Sequence, residues 1–248
     1  MLAASNRSDL AVAAGRGLVP KDPDSGYTAL VHILGNKADL MILHFRRDFE
    51  QLGQAQLAFQ KTDLFDYLTP AASFVSVVEL GMYEMTAKIH QQLAARSLKP
   101  GSDDFERAFD EEMAQQRSRL IGRLYPEIPA RRYVCFYPMN KKRGEDKNWY
   151  RESFARRSEM MLEHGIAGRN YSGQVTQIIS GSMGFDDWEW GVDLFADEPL
   201  VFKKLIYEMR FDEASAVFAE FGPFYVGLQF APSQLLSFLE GHTPSLTE

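Results

Sequence analysis

The segment Tyr137-Pro138-Met139-Asn140-Lys141-Lys142-Arg143 ends a strand with a proline and then turns basic. Two readings are open. The tyrosine is a packing residue at a strand end, or the segment sets a phenol and an ammonium together at the rim of a cavity. In the second reading Lys141 and nearby arginines receive carboxylates, Lys as a point charge and Arg through its bidentate fork. Met160-Met161-Leu162-Glu163-His164-Gly165 brings a second group. His164 is either a helix-end histidine favoured by the negative end of the dipole, with Gly165 as the stop, or a single axial ligand to a haem. Arg210-Phe211-Asp212-Glu213-Ala214-Ser215 is a further polar cluster, in which Asp212 and Glu213 suit the cap of a helical turn. Trp188, Trp190, Phe195, Phe221, Phe224 and Tyr225 are core residues or the walls of a site for a flat apolar ligand.

Other chemistries lack their residues. There is no Gly-rich phosphate loop and no Gly-x-Ser-x-Gly elbow. The remaining histidines, His32, His44, His90 and His242, are not paired at metal-ligand spacing, which speaks against a zinc site. The single cysteine, Cys135, excludes an internal disulfide framework and fits a reducing compartment.

The chain has 248 residues and a formal charge of −7, with 45% hydrophobic residues. That is one large domain or two small ones with a sizeable core. The negative balance works against nucleic-acid binding, so an anionic ligand needs a local cluster of Arg and Lys. No apolar run approaches a membrane span, and the opening has no signal-peptide character. A cytoplasmic protein is the expectation.

The elements that must position these residues follow from periodicity and breakers. Residues 1–25 read as a partly helical or loose lead-in. Strands are expected at 27–34 and 38–45, a helix at 48–60 and a strand at 73–80. Helices follow at 82–96 and 103–124. After Pro126 and Pro129 come a strand at 133–137, a helix at 149–165, a hairpin of 175–180 with 188–195, a helix at 199–209 and a strand at 224–230. Two hairpin–helix–strand units thus recur in the same order, which points to an internally duplicated α+β unit. The halves are 26–125 and 126–248, the second carrying the ligand site.

Together these segments resemble the coproheme decarboxylases of the chlorite dismutase superfamily. The strings that carry the resemblance are Phe136 to Arg143, Asn148-Trp149-Tyr150, Glu163-His164-Gly165 and Gly168-Arg169-Asn170-Tyr171. Gln177 to Ser182, Asp186 to Val192 and Phe202 to Ser215 continue it. The resemblance implies a dimeric α+β barrel of two ferredoxin-like halves in one chain, assembled as a homopentamer. It implies conversion of iron coproporphyrin III to haem b, with hydrogen peroxide as oxidant and two propionates becoming vinyl groups. A transient contact with the ferrochelatase that supplies the substrate is a further expectation.

By motif, Tyr137 resembles the redox-active tyrosine and Lys141 the residue that binds or protonates the reacting propionate. Pro138, Met139 and Asn140 belong to the same binding turn. His164 resembles the proximal iron ligand and Gln177 the distal glutamine facing peroxide. Arg123, Arg210 and Ser215 resemble the residues that hold the substrate carboxylates. The chain departs from the pattern twice. An Ala/Gly/Ser-rich lead-in stands where the family opens with an aromatic strand, so the first half lacks that strand or its start is cut short. Glu152-Ser153 stands where a Leu-Pro pair is usual. Two other readings accompany the decarboxylase. One is a chlorite dismutase, which calls for an arginine at the place of Gln177. The other is a non-catalytic porphyrin carrier on the same fold.

Overall fold

A computed structural model describes residues 4–20, 25–79 and 83–246. The first helix, α1 (Ala4–Leu18), precedes the hairpin β1 (Tyr27–Leu34) and β2 (Leu40–Phe45), then α2 (Phe49–Gln60), β3 (Val77–Val78), α3 (Tyr83–Ala95) and α4 (Asp103–Leu124). The second half runs β4 (Tyr133–Lys141), α5 (Phe154–Arg169), β5 (Val175–Gly181), β6 (Trp190–Ala196) and α6 (Leu200–Met209). It ends with α7 (Glu213–Ala216), β7 (Ala219–Phe221), β8 (Tyr225–Phe230) and α8 (Leu235–Leu239).

All strands join one curled antiparallel sheet in the order β2-β1-β8-β4-β6-β5-β3, with β7 extending the far end of β4. The second half has the ferredoxin-like order β-α-β-β-α-β, so its sheet reads β8-β4-β6-β5. The halves are sewn together twice, by β1 on β8 and by β3 on β5. Among the described residues nothing pairs between β2 and β3. That is the position the counterpart of β4 would take in the first half.

Alternation along β4 sends Tyr133, Cys135, Tyr137, Met139 and Lys141 to one face. There Cys135 and Tyr137 pack with Val192 and Leu194 of β6 and with Val201, Phe202, Leu205 and Met209 of α6. These α6 positions recur every three or four residues, so one stripe of the helix covers the sheet. Burying each large side chain contributes about 1.5–3 kcal/mol. The opposite face holds Val31, Ile33, Val134, Ile178 and Phe195. Pro138 has no N–H to give, and it falls where the β8 partner of β4 ends and the β7 partner begins.

The lead-in is partly helical, over Ala4–Leu18, and Ala11, Ala14 and Leu18 bury against Phe59, Leu64, Phe230 and Leu235. Other expectations change. The strand expected over 73–80 is only Val77–Val78: before Val77 its partner strand β5 runs out at Gly181, while Glu79 N still donates to Ile179 O at 3.3 Å; residues 80–82, which the expectation divides between that strand and the next helix, lie outside the described residues. The helix expected over 149–165 is a short 3-10 turn, Trp149–Arg151, followed by α5, whose N-terminus Ser153 caps by accepting from Arg156 N at 3.2 Å. Gly165 does not stop α5, which continues to Arg169. A mid-helix glycine costs only about 1 kcal/mol, and Ala167, packed on the sheet core, holds the next turn in place.

Candidate active site

Between α5 and the face of the sheet carrying Tyr137 lies a cavity of about 520 Å³. Tyr137, Met139 and Lys141 come from β4, Gln177 and Ile179 from β5, and Trp190 and Val192 from β6. The facing wall is α5, which contributes Phe154, Arg157, Met161 and His164. Their spacing of three, four and three residues is one helical face. Ser215 and Phe221 close one end, and Glu79 with Thr86 stands at another. A second concavity, of about 610 Å³, opens on the outer side of α5, but neither Tyr137, Lys141 nor His164 lines it.

His164 is mid-helix. Its Nδ1 lies 3.0 Å from Asp212 Oδ2 and 3.3 Å from the Ser215 hydroxyl. Asp212 also accepts from Ser215 N at 2.9 Å and from the Ser215 hydroxyl at 3.1 Å. Burial works against the charge on Asp212, but the hydrogen bond and charge of His164 and the bonds from Ser215 outweigh it and lower its pKa. Nδ1 is thereby fixed as the protonated nitrogen, and Nε2 is left for a metal. A ligating histidine whose other nitrogen donates to a carboxylate is the usual arrangement at metal centres. This donor set fits the iron of a porphyrin, one axial histidine in an otherwise largely apolar cavity.

Tyr137 is only 6% exposed. Its ring stacks on Phe224 at 4.6 Å and lies 5.8 Å from Phe221. Burial chiefly, with the nearby Cys135, raises its pKa above the usual phenol range against the pull of Arg210. The phenol is therefore neutral and rigidly placed. Lys141 is buried as well. Its Nζ donates to Ala214 O at 2.8 Å and lies 4.5 Å from the centre of the Trp149 ring. Its backbone N–H donates to Glu189 Oε2 at 2.8 Å. Burial pulls its pKa down to about 8, against the opposing effect of Asp212 and Glu189.

Tyr137, Met139, Lys141, His164, Gln177 and Ser215 are thus brought to one cavity. Other expected residues are not on its wall. Pro138 is part of the ladder, and the Asn140 side chain accepts from Glu189 N at 2.8 Å, a structural use. Arg123 is exposed on the last turn of α4. Arg210 is exposed and lies over the Phe221 ring at 4.8 Å, at the rim. The Ser215 hydroxyl is engaged by Asp212. Sequence reasoning reads Asp212 only as a cap, which it is; its bond to His164 spans 48 residues and leaves no local signal. The sequence does not mark Arg157 or Trp149 as chemical groups either.

This fold and site define a class. Residues 9–230 match the family model described as chlorite dismutase, and the chain belongs to that family. Within it, the chain is 43% identical to the coproheme decarboxylase of Staphylococcus carnosus, over 84% of this chain and 74% of that protein. It is 48% identical to a candidate heme-binding protein of Natronomonas pharaonis over 88% of its length, and it spans only about a third (34%) of that longer relative. Among solved structures, a heme-binding protein from Thermus thermophilus superposes with a TM-score of 0.72 at 39% identity, covering 96% of this chain and 85% of that one. A chlorite dismutase from Candidatus Nitrospira defluvii superposes at 0.70 with 19% identity, covering 95% of this chain and 87% of that one, a likeness of fold.

Proposed function

We propose that this chain carries out the hydrogen-peroxide-dependent oxidative decarboxylation of iron coproporphyrin III to haem b. The observation that carries the reading is one cavity holding a carboxylate-tethered histidine, a buried neutral phenol and a buried lysine. The likeness to the Staphylococcus carnosus enzyme supports it. In this reading His164 Nε2 holds the substrate's iron, and Asp212 orients the imidazole. The iron, with peroxide, supplies the oxidising equivalents. Gln177 faces the peroxide. Tyr137 passes one equivalent on as a phenoxyl radical and takes a hydrogen atom from the propionate β-carbon. Its stacking on Phe224 keeps the oxygen in place through the cycle. Lys141 supplies positive charge to the reacting carboxylate, and Met139 packs on the macrocycle. Each propionate consumes one hydrogen peroxide and one proton, and yields a vinyl group, one carbon dioxide and two waters.

Arg210 at the rim is the outer cation for the substrate's carboxylates in this scheme; Arg123, exposed on α4, is not needed for it. The two halves, 26–125 and 126–248, are products of a duplication. The assembly is a homopentamer in the cytoplasm, which receives its substrate from a ferrochelatase by transient contact. No described helix is long and apolar enough to cross a membrane.

The test is to mix the purified chain with iron coproporphyrin III, titrate hydrogen peroxide and follow the products by mass spectrometry. A three-propionate intermediate followed by haem b is expected. Binding with porphyrin bleaching and no vinyl product would instead favour a carrier, the reading that the heme-binding names of two relatives suggest.

A further inference from the structure

The porphyrin reading leaves a charge question. A tetracarboxylate enters a cavity in which Lys141 already donates to Ala214 O and rests on Trp149. The two arginines expected to help are exposed, Arg123 on α4 and Arg210 at the rim. Two consecutive arginines near the start of α5 divide the work differently. Arg156 turns outward and pairs with Glu159 and Glu213. Arg157 is half-buried and turns to the cavity. One of its donors, on Nη1, goes to Glu152 O at 3.2 Å. Among the described residues its Nε–H, sealed from solvent, finds no hydrogen-bond partner and the guanidinium makes no ion pair.

A guanidinium stays charged in proteins, and its planar fork is shaped for a carboxylate. A buried N–H with no acceptor is unfavourable until an acceptor arrives. Arg157 and His164 share one face of α5, seven residues apart, and a helix rises about 1.5 Å per residue. That separation is comparable with the reach from the centre of a porphyrin to a carboxylate at its edge. The chain around it supplies the support: the backbone carbonyl of Glu152 anchors Nη1 and the Ser153 side chain caps the helix that carries the arginine.

We propose that Arg157 is a carboxylate receptor of this cavity, binding one propionate of the porphyrin by its guanidinium fork. This rests on the porphyrin reading above. The probe is iron coproporphyrin III as the free acid and as its tetramethyl ester, titrated into the 248-residue chain and followed by the Soret band. Wild type should bind the acid more tightly than the ester. Arg157→Gln should weaken the acid at least tenfold and change the ester less than twofold, and Arg157→Lys should recover part of the loss. Circular dichroism checks that each variant is folded. If wild type shifts the Soret band and Arg157→Gln binds the acid as well as wild type, the assignment to Arg157 is wrong while the porphyrin reading stands. Equal loss on acid and ester would reduce Arg157 to a structural residue. A wild-type chain that binds neither overturns both.

Discussion

His164 Nδ1 and Asp212 Oδ2 lie 3.0 Å apart, although 48 residues separate them in the chain. The bond fixes which imidazole nitrogen faces the cavity and makes that nitrogen a stronger donor. Asp212→Asn should keep the cap of α7 in part, because asparagine is also a good N-cap. It should weaken iron–histidine ligation by about 10–100-fold and lower the iron–histidine stretching frequency in resonance Raman spectra of the porphyrin complex. An unchanged frequency would mean that the carboxylate does not polarise the ring.

Tyr137→Phe removes only the phenolic oxygen from a ring held by Phe224 and Phe221. Porphyrin affinity should stay within about twofold, a few tenths of a kcal/mol. Vinyl formation should vanish in single-turnover mass spectrometry. Retained turnover would sink the radical role.

Lys141 has a pKa pulled down to about 8 in the folded chain from an ordinary value of 10.5. Below pH 8 it is charged in both folded and unfolded states. Between about 8 and 10.5 the unfolded chain binds more protons, so this group's unfavourable burial is relieved as pH rises. Activity should move the other way. If the ammonium serves the reacting carboxylate, kcat/KM falls about tenfold per pH unit above roughly 8, and Lys141→Gln abolishes that limb along with most of the rate. A pH profile of the free enzyme's kcat/KM decides it.

Asp193 is buried, its Oδ1 has no hydrogen-bond partner among the described residues, and burial pushes its pKa up to about 7. Its folded value exceeds its unfolded one, so its contribution is fully present below about pH 4 and lost as pH rises through about 7. Asp193→Asn should therefore raise Tm by a few degrees at pH 8, and the gain should shrink by more than half at pH 5 and vanish only below about pH 4. The same gain at both pH values would show that burial of the charge is not its source.

Gly227 joins the two halves in the β1–β8 ladder, paired with Ile33. A Cβ there would stand 2.3 Å from the carbonyl oxygen of His32, which is backbone and has nowhere to go. Gly227→Ala should cost on the order of 1–3 kcal/mol, read as a lower urea midpoint with the slope unchanged. A neutral result would mean that the strand pair can separate at no cost.

Much of this protein was legible from order and alternation alone. The element series and the repeated hairpin–helix–strand unit could be read from the chain, because alternation of two and stripes of three to four are local properties. The strings around Tyr137, His164 and Gln177 pointed to a porphyrin. Where local signals misled, packing had overruled them: Gly165 as a stop and the long strand at 73–80 both gave way to partners elsewhere in the chain. The cavity's chemistry was least legible. Asp212 reads as a helix cap and Arg157 as one more charge on a basic helix, and only the fold turns the first onto His164 and the second into the cavity. Sequence determines which elements form and which side chains share a face. Tertiary structure decides which distant groups meet, since a hydrogen bond across 48 residues has no periodicity to announce it.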